Sequence, residues 1–488
     1  MGGIKGLAIG AAAVLILLVA VVLLRTAAVR PAATFASAGS APQVDLAAAA
    51  GHLGQAVRFQ TVGHQDPRED DPRAWDDLHA WLAATYPRLH AAAPRETVGG
   101  GALIWTWRGS DPALAPIILM AHQDVVPVAA GTRSAWRHPP FSGAMADGAV
   151  WGRGSLDDKG SLVATMEAGE SLALQGFRPR RTIYIVSGHD EETTGAGASA
   201  IAATLAARRV HAEFALDEGS VVILDHPVTH GPAVLIGVAE KGYATLRVTA
   251  RAAGGHSSAP PPSTAVTTLA RAVLRIADRP FPLRYGGTAE SMMNALAPSL
   301  PFASRLAVAN AWLFRDRLTR TFAASPQGAA MLHTTIAPTM LEGSPKDNVL
   351  PDIATARINY RIAPGDTTPM VLALARAAVG RLPGVTLAIE PGARDPSPVS
   401  SSTSDAYRLI AGLAREASGA VPVAPSLVIA ATDSRRLSGV ARDVYRFQPI
   451  ALRLGDTEMI HGVDEHLTID NLSRMIVFYA RLMRRAAG

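Results

Sequence analysis

The sequence has no cysteine among its 488 residues. This absence excludes disulfide bonds, thiolate metal sites, a cysteine nucleophile and a lipid-modified cysteine near the N-terminus. Aromatic residues make up only 5% of the chain, and no basic block contains interleaved aromatic side chains. We therefore expect no nucleic-acid binding, although the formal net charge is +5. Any metal site in this protein has to be built from histidine and carboxylate side chains.

Charge is also absent from the run of residues 6–24, which lies between Lys5 and Arg25. A run of this length just spans a bilayer. We predict a transmembrane anchor over residues 1–25, followed by a flexible linker rich in alanine, serine and proline over residues 26–43. The alternative is a cleaved secretory signal, which usually has a shorter apolar region. Because most anchors of this kind leave the bulk of the chain outside the cytoplasm, we expect the remaining residues to be extracytoplasmic.

The rest of the chain has the composition of a globular protein and is long enough for two or three domains. Short apolar segments alternate with helical ones. Strands are predicted over residues 102–107, 116–120, 182–186 and 213–216, with helices over residues 161–174 and 197–207. This alternation is typical of an α/β domain with a central, mostly parallel sheet and helices on both faces.

The alternation breaks in the middle of the chain and later resumes. Residues 241–364 contain strands, one clear helix and a longer helical stretch at 285–325. We interpret this segment as an α+β domain that is inserted into the first one. The α/β domain is then divided into residues 44–240 and residues 365–488.

Polar residues cluster where the predicted strands end. They are His122 and Asp124 after the strand at 116–120, Glu191 and Glu192 after the strand at 182–186, and Asp217 and Glu218 after the strand at 213–216. Open α/β sheets place their sites at the carboxyl ends of the strands. Histidines and carboxylates without cysteine suit zinc, or manganese or cobalt, in a hydrolytic site.

A glycine-rich loop at residues 151–160 contains two adjacent acids, Asp157 and Asp158. Adjacent carboxylates repel each other unless a cation or hydrogen bonds compensate them. We interpret Asp157 as the central ligand of a pair of metal ions. Asp158 is the alternative, although it is also placed to cap the helix that follows.

These motifs, in this order, resemble those of the aminoacylase and carboxypeptidase family of co-catalytic zinc peptidases. The motifs are His122-x-Asp124, Gly154-x-x-Asp157-Asp158-Lys159-Gly160, Glu191-Glu192, Asp217-Glu218-Gly219, Gly255-His256-Ser257-Ser258 and His461-Gly462. The resemblance extends from about residue 45 to the C-terminus. The segments 432–435 and 458–466 and the helical stretch make the chain most similar to the subgroup of carboxypeptidase S and the secreted N-fatty-acyl-amino-acid synthase/hydrolase.

The resemblance implies a site with two zinc ions per subunit, for which cobalt or manganese would be substitutes. The implied ligands are His122 and Asp217 for one ion, Glu192 and His461 for the other, and Asp157 as the bridge, often with a cis peptide bond after it. Glu191 would be the general base, and Asp124 would orient the imidazole of His122. Glu218 remains an alternative to Asp217.

The same resemblance implies that the inserted domain is a lid and a dimerisation module. His256 would stabilise the oxyanion, often from the partner subunit. Asn348 and Arg361 would bind the free carboxylate of the substrate, with Arg435 as a second candidate and Arg357 as an alternative to Arg361.

We therefore expect a membrane-anchored, dinuclear zinc hydrolase that cleaves the amide bond next to a free C-terminal carboxylate in a small peptide. Glu191 would act as its general base. The alternative is an amidohydrolase acting on N-acyl amino acids. A catalytically silent binding protein is disfavoured by the intact ligand set, and an aminopeptidase is disfavoured by Asn348 and Arg361. A homodimer would form through the inserted domain.

Overall fold

A computed structural model describes residues 2–30, 44–419 and 421–488, so most of the predicted linker lies outside the described residues. The helices are α1 (Gly2–Ala27), α2 (Leu46–Arg58), α3 (Pro72–Thr85), α4 (Pro87–Ala92), α5 (Lys159–Leu174), α6 (Ala196–Ala207), α7 (Ala265–Ala277), α8 (Gly287–Leu296), α9 (Phe302–Ala309), α10 (Ala311–Phe322), α11 (Pro326–Leu332), α12 (Thr368–Val379), α13 (Asp405–Ser418) and α14 (Ile469–Ala487).

The strands are distributed over the whole globular part of the chain. They are β1 (Arg95–Val98), β2 (Ala102–Trp107), β3 (Ile117–His122), β4 (Ala144–Ala146), β5 (Ala149–Trp151), β6 (Ile183–Gly188), β7 (Ala212–Asp217), β8 (Val222–His226), β9 (Gly231–Glu240), β10 (Gly242–Arg251), β11 (Gly255–His256), β12 (Thr335–Glu342), β13 (Val349–Leu350), β14 (Ile353–Ile362), β15 (Val385–Ile389), β16 (Val423–Val428), β17 (Ala441–Arg446), β18 (Ala451–Leu452) and β19 (His466–Thr468).

The central sheet has the strand order β1-β2-β6-β3-β7-β17-β9-β8-β18, and β16 also pairs with β9. Its middle, from β6 through β3 and β7 to β17, is parallel. The pairs β1–β2, β2–β6, β17–β9 and β9–β8 are antiparallel. The α/β class is confirmed, and the central sheet is mixed: its middle is parallel as predicted, whereas the pairs named above are antiparallel. The turns that join β1 to β2 and β8 to β9 are too short for the crossover that parallel strands need.

Helices cover both faces of this sheet, as predicted. Every residue of β3 is buried, which is the pattern of a strand covered on both sides. One apolar cluster joins the sheet to α2, α5, α13 and α14, and it includes Leu119 and Phe447. A second cluster joins the opposite face to α6 and includes Ile118 and Ile201. The strands beneath the site are therefore held from both sides.

A second sheet has the order β12-β14-β10-β15 and is antiparallel. Buried and partly buried residues alternate along β14, so one face of this sheet packs into a core of its own with α7 and α12. This unit continues beyond the predicted boundary at residue 364, because β15 pairs with β10. A helix followed by a strand looks the same in either domain, so the sequence pattern did not reveal the boundary.

Helices α8 to α11 form a separate helical segment, which the sequence analysis placed in the inserted domain. In the structure this segment packs on the central sheet, in a cluster that includes Ala233 of β9 and Ala424 of β16. Lys241 reinforces the contact, because its Nζ donates to the carbonyl oxygens of Ala330 and His333, at 2.9 Å each. The helical segment thus belongs structurally to the α/β body.

Helix α1 contains a span at Leu7–Ala27 that is long and apolar enough to cross a membrane, with a mean hydropathy of 3.2. A signal sequence near the N-terminus would have the same properties. The apolar N-terminal helix predicted from the sequence is therefore present. Its length and composition fit either a membrane anchor or a signal peptide.

Candidate metal centre

Three neighbouring strands bring polar residues to one edge of the central sheet. Strands β6, β3 and β7 are adjacent and parallel, so their carboxyl ends meet. His122 is the last residue of β3, and Asp217 is the last residue of β7. Glu191 and Glu192 lie in the turn that follows β6. The topology therefore collects residues that are far apart in the sequence.

Asp157 lies between two imidazole rings. Its Oδ1 atom is 2.9 Å from Nε2 of His122, and its Oδ2 atom is 3.2 Å from Nε2 of His461. The same Nε2 atom of His461 is 3.0 Å from Oε1 of Glu192. Donor atoms of His122, Asp157 and Glu192 all lie within 4.8 Å of one another. Each oxygen of Asp157 thus faces a different histidine, as a bridging carboxylate requires.

These separations suit shared metal ligation. Tetrahedral zinc holds nitrogen and oxygen ligands at about 2.0–2.1 Å, which places two ligand atoms of one ion about 3.3 Å apart. The nitrogen–oxygen distances around Asp157 are 2.9 and 3.2 Å. Both are close to the separation expected of two ligands of one ion.

The buried carboxyl groups of this cluster also favour bound cations. Burial raises the pKa of each surrounding carboxyl group, and neighbouring carboxylates raise it further; these groups are Asp158, Glu191, Glu192, Asp217, Glu218 and Asp433. Hydrogen bonds with Asp157 and Glu192 raise the pKa of His461 to about 10. Burial and neighbouring carboxylates thus disfavour the charged form of these acids, and bound metal ions would offset both effects.

Asp158 occupies a different position from Asp157. Its Oδ1 atom accepts a hydrogen bond from Nε2 of Gln448 at 2.6 Å, and its Oδ2 atom accepts one from the backbone N–H of His122 at 3.3 Å. It makes no side-chain capping bond to α5. The peptide bond between Asp157 and Asp158 is cis. The two hydrogen bonds of the Asp158 carboxylate engage both of its oxygens, which favours Asp157 as the bridging residue.

Asp217 and the turn after β6 lie near this cluster, and Asp217 interacts electrostatically with His122. Oδ2 of Asp217 accepts the backbone N–H of Ser434 at 3.0 Å. Asp124 accepts the backbone N–H groups of Glu191 and Glu192 at 3.1 and 2.9 Å. Nδ1 of His122 is 3.0 Å from the carbonyl oxygen of Asp124 and 3.4 Å from its carboxylate. Asp124 therefore fixes the turn that carries both glutamates, in addition to lying beside the His122 ring as expected.

Residues 118–485 match the peptidase family M20/M25/M40. The chain belongs to this family. It is 34% identical over 443 residues to probable carboxypeptidase S-like 2 of Dictyostelium discoideum, with 88% of this chain and 84% of that protein covered. It is 38% identical over 390 residues to the human N-fatty-acyl-amino acid synthase/hydrolase PM20D1, with 78% and 76% covered.

Among solved structures, an M20 family metallo-carboxypeptidase, Sso-CP2 from Sulfolobus solfataricus, shares the fold. The TM-score is 0.63 at 16% identity, and the match covers 89% of this chain and 99% of that one. The resemblance to the aminoacylase and carboxypeptidase family is thus confirmed. This M20 chain is a hydrolytic metallopeptidase by family, and its His/Asp/Glu cluster is a possible metal site.

Asp124 gives a first test of the M20 centre. Asp124→Asn is expected to lower zinc affinity by about 10–100-fold, because carboxylates that orient metal ligands contribute on this scale. A competition titration with a chromophoric chelator measures the loss. Asp443→Asn is the matched control, since Asp443 is buried and accepts the backbone N–H of Ser401 at 2.8 Å. Equal zinc affinity in wild type and Asp124→Asn would contradict the assigned role.

His256 and Asn348 of this M20 chain lie together at a separate two-stranded sheet of β11 and β13. β11 pairs with β13, and the backbone N–H of Ser257 donates to the carbonyl oxygen of Asn348 at 3.2 Å. His256 is exposed, and its Nδ1 is 2.8 Å from Oγ of Ser258. Among the contacts of the described residues, none joins His256 to the metal cluster.

The three candidate arginines have different environments. Arg357 has its Nη1 3.0 Å from Glu342 and its Nε 3.0 Å from Glu390. Arg361 lies over the ring of Tyr243, at 5.1 Å from the ring centroid. Arg435 immediately follows Ser434, whose backbone N–H donates to Asp217. Its Nε and Nη1 atoms are buried, and neither has a hydrogen-bond partner among the described residues. Of these three candidates, Arg435 is the one with buried donor atoms that lack a partner among the described residues.

Sequence reasoning gave no role to Glu465, which is fully buried beneath the loop of Asp157. Its Oε1 accepts the backbone N–H groups of Gly154, Leu156 and Asp157 at 2.9, 3.0 and 3.1 Å. Its Oε2 is 2.6 Å from Nη1 of Arg153. Glu465 belongs to the C-terminal segment that supports the resemblance, but a lone glutamate there has no spacing that indicates these contacts.

Proposed function

We propose that this M20 chain is a dinuclear zinc hydrolase that cleaves the amide bond next to a free C-terminal carboxylate, as a carboxypeptidase or dipeptidase does. Cobalt or manganese would be substitutes for zinc. The observation that carries this proposal is the position of Asp157, with one oxygen facing His122 and the other facing His461. Two ions sharing one carboxylate are typical of hydrolytic sites.

The proposed ligands are the predicted ones. His122 and Asp217 would hold one zinc, Glu192 and His461 the other, and Asp157 both. Bound zinc supplies Lewis acidity, which lowers the pKa of water and polarises the substrate carbonyl. In this scheme, Glu191 takes a proton from the attacking water and later delivers it to the leaving amine. The Asp124 carboxylate holds the backbone of Glu191, which keeps that side chain next to the ligands.

Arg435 is the proposed partner of the substrate carboxylate. Buried guanidinium nitrogens without partners are costly unless a ligand supplies acceptors, and a carboxylate is a strong acceptor for a guanidinium group. We also propose that His256, Asn348 and Arg361 complete the site from the inserted domain. No contact among the described residues joins His256 to the metal cluster. Movement of the inserted domain as a lid, or a partner subunit in a homodimer, would therefore have to bring His256 to the cluster.

Matched substrates test the proposal. Zinc-loaded enzyme is expected to cleave Gly-Leu and lauroyl-Leu but neither of their C-terminal amides, since only the acids offer a carboxylate. Arg435→Met should reduce kcat/KM for the acids by about 10–150-fold, the equivalent of about 1.5–3 kcal/mol for hydrogen bonds to a charged group. Chromatographic detection of the released amine measures both effects.

Arg357→Met is the control for that experiment, because the Arg357 guanidinium already pairs with Glu342 and Glu390. It should leave the preference for acids over amides unchanged. Equal cleavage of acids and amides by the wild type would overturn the proposed recognition of a carboxylate. An unchanged preference in Arg435→Met would assign that recognition to another residue, with Arg361 as the next to be substituted.

The second candidate function is hydrolysis of N-acyl amino acids. The human relative carries the name of an N-fatty-acyl-amino acid synthase/hydrolase. A cavity of about 710 Å³ also lies between the helical segment and the central sheet, and its lining includes Leu283, Tyr285, Met331 and Leu427. Faster cleavage of lauroyl-Leu than of Gly-Leu would favour this function.

We also propose that α1 remains attached as a membrane anchor, with the hydrolase body outside the cytoplasm. The support is the apolar span at Leu7–Ala27 and the polar contacts that join its end to the body. Intact mass of the protein purified from membranes tests the first part, since cleavage near residues 36–41 would remove the whole helix. Digestion of the body by protease added to intact cells tests the second.

A further inference from the structure

The C-terminal end of α1 is attached to the helical segment by specific polar contacts. Nδ2 of Asn310 donates to the carbonyl oxygen of Val22 at 3.1 Å and lies 3.2 Å from Oγ1 of Thr26. Nε of Arg25 donates to the carbonyl oxygen of Ala309 at 3.1 Å. Val22 and Thr26, one helical turn apart, are both buried. The start of α10 is therefore held against the last turns of the apolar helix.

The length of the apolar run fixes where this contact lies relative to a bilayer. The uncharged run from residue 6 to residue 24 is about 28 Å long at 1.5 Å per residue, which is close to the roughly 30 Å of a hydrocarbon core. Its last residues must then lie at the edge of that core. Val22 is among them, so Asn310, which contacts Val22, lies at the same depth.

The residues next to Asn310 include large apolar side chains that face outward. Trp312 and Leu313 follow it by two and three positions and are 53% and 46% exposed. Phe302, at the start of α9, is 55% exposed. We propose that Phe302, Trp312 and Leu313 form a bilayer-docking surface, which inserts into the lipid interface beside α1. This inference depends on α1 being the proposed anchor, whichever substrate the enzyme cleaves.

The chemistry of these helices suits a lipid interface. Tryptophan is enriched where hydrocarbon meets headgroups, because its ring is apolar and its N–H is polar. Arg317 and Arg320 are also exposed, one and two turns farther along α10. Exposed arginines near an apolar patch attract anionic headgroups. Docking would hold the hydrolase body at a fixed distance from the membrane, whereas a flexible linker alone would leave it free to move.

The absence of cysteine makes a site-specific test simple. Leu313→Cys would give the full-length chain one thiol for a spin label, and Leu274→Cys on α7 is the control, because Leu274 is also exposed, at 61%. Nanodiscs of phosphatidylcholine and phosphatidylglycerol would contain one labelled chain each. We expect collisions with a water-soluble nickel complex to fall severalfold at position 313, relative to detergent, and collisions with oxygen to rise. Position 274 should remain accessible to nickel.

The alternatives give different results. Equal nickel accessibility at positions 313 and 274 in the discs would overturn the docking surface. Position 313 could instead be protected from nickel only in concentrated detergent and not in discs with a single chain. That result would overturn the docking surface and indicate contact with a second copy. Recovery of the chain outside the discs would show that α1 is not an anchor. Cleavage of Gly-Leu by the same samples reports the proposed function separately.

Discussion

Glu191→Gln is expected to reduce kcat by about 10²–10⁴-fold and to leave the bound metal unchanged, because a general acid–base residue contributes on this scale. Glutamine has almost the shape of glutamate, but its amide cannot accept the proton of the attacking water. Among the contacts of the described residues, none joins the Glu191 carboxylate to His122, Asp157 or His461, which contact one another and Glu192. The substitution should therefore affect proton transfer without emptying the site.

The neighbouring glutamate provides a matched control. Glu191 and Glu192 lie in one turn, and the same carboxylate of Asp124 holds both of their backbone N–H groups. Glu192, in contrast, lies 3.0 Å from Nε2 of His461. Glu192→Gln should lower metal content as well as activity. The two variants differ by one position, so a general loss of folding would affect both in the same way.

Elemental analysis of the purified variants and their kcat for Gly-Leu give the two readouts. The proposed division of roles predicts full metal and little turnover for Glu191→Gln, and reduced metal for Glu192→Gln. Substantial turnover in Glu191→Gln would sink the assignment of the general base. Metal loss in Glu191→Gln equal to that in Glu192→Gln would make Glu191 a ligand instead.

Local patterns predicted the elements of the fold well. The strand at 102–107 has the predicted bounds, because a short apolar run leaves few other solutions. The two sheets could not be separated in the same way. β15 follows a helix just as a strand of the α/β domain would, and only its pairing with β10 places it in the second sheet. Strand pairing over long distances has no local signal.

The same limit applies to the site. Ordered motifs and their resemblance to a family picked out His122, Asp157 and His461, which the structure brings together. Nothing local indicated that Glu465 lies beneath the loop of Asp157, about three hundred positions earlier in the chain. Only one carboxylate is involved, and its partners are mostly backbone N–H groups, which every residue type except proline offers.

The second large effect is expected at Glu465. Glu465→Gln should lower the free energy of unfolding of the metal-free protein by about 3–5 kcal/mol, the usual cost of removing one partner from a buried ion pair. Arg153 would lose its counter-charge while remaining buried at 3% exposure. Glutamine retains one oxygen as an acceptor, but its NH₂ group can only donate. Because the loop and Arg153 offer mainly donors, that NH₂ group would face other donors.

Glu465 also connects two of the proposed metal ligands, so the effect should extend to zinc binding. It accepts the backbone N–H of Asp157, while Nη2 of its partner Arg153 donates to the carbonyl oxygens of His461 and Gly462 at 3.0 and 2.9 Å. His461 has a backbone φ of +61°, a conformation that is unfavourable for a residue with a side chain and needs such support. Loosening both ligands should reduce zinc affinity by about 10–100-fold.

Chemical denaturation without metal and zinc competition separate these two effects. Glu416→Gln is the control, because its pairs with Arg481 and Arg485, at 3.4 and 3.6 Å, are partly exposed and should contribute about 0–1 kcal/mol. In the double variant Arg153→Met with Glu465→Gln, the loss should be smaller than the sum of the single losses, because no charge is then left unpaired. Additive losses would show that the pair is not coupled. Unchanged zinc affinity in Glu465→Gln would show that the loop of Asp157 holds its shape without this carboxylate.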